Sequence, residues 1–222
     1  MSRGGAVTGA GSPRIAVLDY GMGNLRSVEK ALEHVGAAPV VTSDPKAVRK
    51  VDGVILPGVG AFPKAMARLE ELGLDWAVQE SVEFEKPTLG ICLGLQLLFD
   101  GSTEHGRSGG ICALPGMVEE LRTGGLKLPQ IGWNAVSWRR PSPLAEGLPD
   151  PCPMYHVHTY APRPEREDDV LGTATYGEEF ATAVQRGPLY GVQFHPEKSG
   201  AHGLRLLSNF SRICAGALSA AA

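Results

Sequence analysis

The pentapeptide Gly90-Ile91-Cys92-Leu93-Gly94 sets a thiol midway between two glycines. Gly-x-nucleophile-x-Gly is the pattern of a sharp strand-to-helix turn that exposes a nucleophile, here with cysteine in place of serine. The turn strains its central residue, and a side chain at either glycine would clash with the strand or helix beside it. A helix beginning behind Cys92 would favour negative charge on the sulfur and so the reactive thiolate. The same five residues also describe an inert cysteine buried in a glycine-containing turn, so the pattern alone leaves both open.

His195-Pro196-Glu197 follows the apolar run Tyr190-Gly191-Val192-Gln193-Phe194. Proline biases the residue before it toward extended backbone, and residues two apart in an extended segment point to the same side. On that geometry Glu197 orients the imidazole of His195. The imidazole takes the Cys92 proton and returns it to a leaving amine, which is acyl transfer. The bland alternative is a surface His-Pro turn. A zinc deaminase also uses His-x-Glu but needs a downstream Pro-Cys-x-x-Cys. Only Cys214 lies beyond Glu197, which excludes that chemistry.

Acyl transfer needs donors for a developing oxyanion. The N–H of Leu93 is one candidate. The loop Pro57-Gly58-Val59-Gly60 offers others at Gly58, Val59 and Gly60, although it also reads as an ordinary strand-to-helix turn. Gly21-Met22-Gly23-Asn24-Leu25-Arg26 comes near the dinucleotide fingerprint, with Asp44 at a fitting distance. Arg26 stands where the third glycine belongs, and its bulk opposes close helix–strand packing. No Walker-type phosphate loop occurs.

The elements that must carry these residues alternate. Ile15–Leu18, Val40–Thr42, Val54–Leu56 and Thr88–Ile91 are short apolar runs of the kind buried on both faces of a parallel sheet. Between them, 25–35 (with Asn24 as cap), 62–72 and 76–84 have helical spacing, and Leu93–Phe99 opens another helix. This β-α-β-α rhythm predicts an α/β fold with a doubly wound, mostly parallel central sheet flanked by helices. After Gly110 the rhythm becomes strand after strand: 118–121, 134–138, 154–160, 170–176, 181–185 and 189–194. These predict a mixed or antiparallel extension, closed by a helix over 204–214. One domain over 14–218 is expected, behind a flexible Gly/Ala/Ser-rich tail at 1–13 that has no signal-peptide h-region.

The 222 residues are 43% hydrophobic and 20% charged with net charge −3, ordinary globular values. No basic field exists to hold nucleic acid or an anionic membrane. The apolar stretch Pro87–Phe99 is too short to span a bilayer. Four cysteines are too few for a secreted disulfide scaffold and lack zinc spacing, so a cytoplasmic protein with reduced thiols is expected. Cys112, Cys152, Cys214, His34, His105, His156 and His202 receive no role.

Six stretches together resemble the class I, triad-type glutamine amidotransferases, whose fold is flavodoxin-like. They are Asp19–Val28, Pro57–Phe62, Gly90–Phe99, Pro129–Asn134, Val157–Tyr160 and Gly191–Ser199. More narrowly, the first and fourth are similar to the family of glutaminase subunits of imidazole glycerol phosphate synthases. The resemblance implies hydrolysis of glutamine to glutamate and ammonia through a glutamyl thioester on Cys92, with His195 shuttling protons and Glu197 orienting it. It implies Gln96, Glu104, Thr159 and Tyr160 around the amino-acid head group. It also implies a heterodimer with a (β/α)8-barrel cyclase subunit that receives the ammonia, with Asn24, Trp133, Tyr155 and Lys198 facing that partner. Trp133 could equally be core, and Asn24 could only cap its helix. No cofactor and no metal are implied, because the sulfur nucleophile suffices. Thr159 and Leu95 stand where the family commonly has Ser and Met, mild departures that leave the triad untouched. The alternatives are the glutaminase of another ammonia-using synthase, or a flavodoxin-like binding module without catalysis.

Overall fold

The computed structural model describes residues 12–216. The expected tail therefore lies outside the described residues except for residues 12 and 13, as do residues 217 and 218 of the expected domain.

The first half of the chain runs β1 (Arg14–Leu18), α1 (Leu25–His34), β2 (Ala38–Thr42), α2 (Pro45–Val48), β3 (Gly53–Gly58), α3 (Phe62–Leu72), α4 (Leu74–Glu83), β4 (Thr88–Cys92) and α5 (Leu93–Leu97). The second half runs β5 (Phe99–Ser102), β6 (Ser108–Gly109), β7 (Leu114–Glu120), β8 (Gln130–Trp138), β9 (Cys152–His158), β10 (Tyr160–Pro164), β11 (Val170–Tyr176), β12 (Glu178–Arg186), β13 (Leu189–Val192) and α6 (Gly200–Cys214). Nine strands form the central sheet in the order β2-β1-β3-β4-β13-β12-β11-β8-β9. From β2 to β13 the neighbours are parallel, and from β13 onward they are antiparallel. A second sheet, β10-β7-β5-β6, packs as a smaller layer.

Strand alternation explains the layering. On β1 and β3, Ile15, Val17 and Ile55 point into a core shared with Val28 and Leu32 of α1 and Leu207 and Phe210 of α6. Their neighbours Ala16, Leu18, Val54 and Leu56 point the other way, against Phe62 and Leu69 of α3, Val78 of α4 and Phe99 and Val118 of the second sheet. Strands apolar on both faces are thus covered on both faces, as a parallel sheet requires.

Three local expectations are corrected. The helix opening at Leu93 does not continue to Phe99. The carbonyls of Leu97, Leu98 and Phe99 accept from the N–H groups of residues 111–114, so the chain enters the second sheet instead. Asn24 does not cap α1 with its side chain; only its carbonyl engages the first turn, accepting from Ser27 N at 3.2 Å. The last strand stops at Val192, before Phe194. The topology has one further consequence: β13, last among the strands, inserts beside β4, so the ends of these parallel neighbours lie together.

Candidate active site

Cys92 ends β4, opposite Gly58 at the end of β3. Its backbone is strained, with φ 55° and ψ −112°, a region disfavoured for any residue with a Cβ. The flanking glycines make the turn feasible. A Cβ on Gly94 would overlap the carbonyl oxygen of Leu56, and one on Gly90 would lie 2.7 Å from the carbonyl oxygen of Gly94. The buried sulfur has Gln193 Nε2 at 3.7 Å and the carbonyl of Val157 at 3.8 Å. Helix α5 behind it is only five residues long. Macrodipoles sum over aligned peptides, so the help expected from this helix is small.

His195 follows β13, and its backbone N–H donates to the carbonyl of Tyr155 at 2.9 Å. Its Nδ1 lies 2.9 Å from Glu197 Oε1, and both side chains are almost wholly buried. The pair meets for a different reason from the one expected. His195 is extended at φ −101° and ψ 95°, but Pro196–Lys198 is a 3-10 turn that swings Glu197 back onto the ring. Ser199 Oγ locks this turn by donating to the His195 carbonyl at 2.7 Å and accepting from Tyr155 N at 3.0 Å. With Nδ1 engaged, Nε2 is left for the sulfur. Burial opposes a charge on this imidazole, yet hydrogen bonding to Cys92 and Glu197 overrides it and pushes His195 up to about 10. The arrangement suits proton exchange between the imidazole and a nearby nucleophile.

The loop after β3 departs from Gly58, the residue registered opposite Cys92. Gly60 adopts φ +102°, Val59 is exposed, and the buried Leu93 follows Cys92 directly. A cavity of about 200 Å³ is lined by Gly60, Gln96, Glu104, Pro129, Val157, His158, Thr159 and Tyr160. All four residues expected around an amino-acid head group thus share one cavity. Gln96 Nε2 donates to the Tyr160 carbonyl at 2.9 Å and to Gln193 Oε1 at 3.0 Å. Glu104 Oε2 accepts from Phe62 N at 2.7 Å, tying the cavity wall to the start of α3.

Trp133 is 59% exposed and is not core. It faces Tyr155 across the β8–β9 register, edge to face at 6.0 Å. Lys198 and Asn24 are also exposed, and α1 packs near the turn that carries Lys198. Among the described residues no cluster of His, Cys, Asp or Glu is arranged to hold a metal ion. A larger cavity, about 550 Å³, lies elsewhere and includes none of the residues singled out from sequence. Its Arg139 and Arg163 are already paired with Glu179 and Glu178.

Two site residues escaped the sequence reading. Gln193 is fully buried and reaches both Gln96 and Cys92. It stands two residues before His195, so strand alternation could have found it. His158 lines the cavity, donates from Nδ1 to the Tyr160 carbonyl at 2.9 Å and, chiefly through burial, is pushed down to about 3. Only its place in the Val157–Tyr160 stretch pointed to it.

The family profile for class I glutamine amidotransferases matches residues 16–214. The imidazole glycerol phosphate synthase subunit HisH of Moorella thermoacetica is 52% identical over 199 residues, covering 90% of this chain and 94% of that protein. The subunits of the same name from Bacillus cereus and Symbiobacterium thermophilum are each 48% identical, with the same coverage. Among solved structures, PurLQS from Thermotoga maritima superposes with a TM-score of 0.71 at 18% identity, covering 90% of this chain and 97% of that one. A glutamine amidotransferase from the same organism gives 0.61 at 18% identity, covering 83% and 76%. At such identities the two structures speak for the fold alone. No helix of the described residues is long and apolar enough to cross a membrane.

Proposed function

The chain belongs to the class I glutamine amidotransferases, and on that premise we propose that it is the glutaminase subunit of an imidazole glycerol phosphate synthase, serving histidine biosynthesis. The Cys92 thiolate attacks the side-chain carbonyl carbon of glutamine. The C=O electron pair moves onto oxygen, and N–H groups of Leu93 and of the Gly58-Val59-Gly60 loop receive that charge. His195, held by Glu197, gives its proton to the amide nitrogen; the C–N bond breaks and ammonia leaves. Water, deprotonated by His195, then attacks the thioester carbonyl, releases glutamate and restores the sulfur. Glu104 meets the α-ammonium of the substrate, with Gln96 and the backbone of Thr159 and Tyr160 completing the head-group site.

The observation that carries this reading is the 2.9 Å contact between His195 Nδ1 and Glu197, made by an imidazole whose other side faces Cys92. The pathway assignment draws on the relatives named HisH, about half identical across nearly their whole length. The ammonia passes to a (β/α)8-barrel cyclase subunit in a heterodimer, which makes imidazole glycerol phosphate and an aminoimidazole carboxamide nucleotide. Channelling has a chemical reason: ammonium, the main form in neutral water, has no lone pair to attack with. Trp133, Tyr155, Lys198 and Asn24 face that partner, an aromatic and cationic set suited to an interface. The site is cytoplasmic, in keeping with four free cysteines.

The test mixes this chain with a barrel cyclase and its nucleotide substrate, then measures glutamate and imidazole glycerol phosphate together. Equal yields of both, with slow glutamate release when the barrel is omitted, are expected. Glutamate release that never yields imidazole glycerol phosphate would remove the pathway assignment, and no glutamate at all would remove the glutaminase.

A further inference from the structure

The buried amide of Gln193 occupies a place the triad does not account for. Its backbone N–H donates to the Thr182 carbonyl at 2.8 Å, which fixes it just past β13. Its side chain lies between two site residues, with Oε1 3.0 Å from Gln96 Nε2 and Nε2 3.7 Å from Cys92 Sγ. Gln96 settles the orientation of both amides. Its two N–H groups serve two acceptors, the Tyr160 carbonyl and Gln193 Oε1. Turning Gln96 over would set oxygen against the Tyr160 carbonyl, and turning Gln193 over would set two donors face to face. The Gln193 NH2 group therefore points at the sulfur.

A thiol can give its proton to the Val157 carbonyl, 3.8 Å away. A thiolate cannot, and only donors then stabilise it. We propose that Gln193 is a further catalytic residue: its amide donates an N–H to the Cys92 sulfur, holds it as thiolate, and links it to Gln96 in the wall of the substrate cavity. The proposal deepens the glutaminase reading and rests on it. The other titratable groups near this sulfur are His195, backed by Glu197, and the phenol of Tyr20, which donates to the Pro57 carbonyl; His156 and His158 of β9 lie near His195. All of them stay in place when Gln193 alone is changed.

Two near-isosteric variants of the full chain test it. Gln193→Met removes the donor and the acceptor. Gln193→Glu keeps an oxygen for Gln96 but turns a second oxygen on the sulfur. The readout is the rate at which iodoacetamide alkylates the Cys92 peptide, followed by mass, at neutral and at alkaline pH. At neutral pH the rate is expected to fall about tenfold in Gln193→Met, the size of one hydrogen bond to a charged group, and further in Gln193→Glu. In alkali, where the thiol is ionised in every variant, the rate should be unchanged. An unaltered neutral rate, or neutral and alkaline rates falling in step, would overturn the proposal, and Gln193→Met decides if the charged variant does not fold. Failure of the wild-type chain to release glutamate would sink the glutaminase reading instead, leaving the alkylation result to judge Gln193 by itself.

Discussion

The hydroxyl of Tyr20 donates to the carbonyl of Pro57 at 2.8 Å and fills the space that a side chain at position 58 would need. One phenol thereby pins the strand end from which the Gly58-Val59-Gly60 loop departs. Burial, with Cys92 nearby, pushes the Tyr20 phenol up, so it stays a donor. Tyr20→Phe should orphan the buried Pro57 carbonyl and cost about 1–3 kcal/mol. Urea unfolding of both proteins measures the difference, and equal midpoints would remove Tyr20 as the anchor.

Cys92→Ala should lower glutamate release by about 10³-fold or more, with the circular dichroism unchanged. Turnover that survives in this variant would end the assignment of the nucleophile.

Glu197→Gln keeps the shape of the side chain and loses its charge. Catalysis should fall by about 10²–10⁴-fold, as for an imidazole robbed of its orienting carboxylate. A linkage effect accompanies it. The His195 imidazole is raised from 6.5 in the unfolded chain to about 10 in the folded one. Its ionic contribution to stability is therefore complete below pH 6.5 and drains away as pH rises toward about 10. Stability curves of wild type and Glu197→Gln should converge across that window, and parallel curves would argue against it.

His156 and His158 behave in the opposite sense. Burial, with His195 nearby and for His158 also His156, pushes them down from 6.5 to about 4 and about 3. The unfolded chain takes up these protons first, so stability should be lost as pH falls from about 6.5 toward 4. A thermal midpoint that falls in this range in the wild type, and falls less in His156→Phe or His158→Phe, is the expected result; coincident slopes would count against it.

Gly94→Ala should prevent folding or cost about 4 kcal/mol or more, because the new carbon overlaps the carbonyl oxygen of Leu56. Gly109→Ala meets nothing within 4 Å and should be near neutral. The soluble yield and thermal midpoint of the two variants make the comparison, and a stable Gly94→Ala would contradict the close packing of the turn.

What could be read in advance follows from how local each signal is. The apolar runs at Ile15–Leu18, Val54–Leu56 and Thr88–Ile91 announced strands because burial on both faces leaves no other composition. Cys92 announced a turn because glycine two residues away on either side has few other uses. The two-residue β6 carries no periodicity to detect. The early end of α5 depends on donors from residues 111–114, which no local pattern near Leu97 reveals. Likewise extended geometry predicts that Glu197 reaches His195, whereas in the structure a 3-10 turn after Pro196 brings the two together. Gln193 gives no local signal, because an amide beside an apolar strand looks inert until its two partners, 97 and 101 positions away, come into view.

Because β13 slots beside β4, the reactive sulfur and its base are made at widely separated stages of synthesis. A chain still growing on the ribosome exposes Cys92 roughly a hundred residues before Gln193 and His195 exist. Until they arrive the thiol has neither general base nor donor, and no glutamine is spent by an unfinished protein.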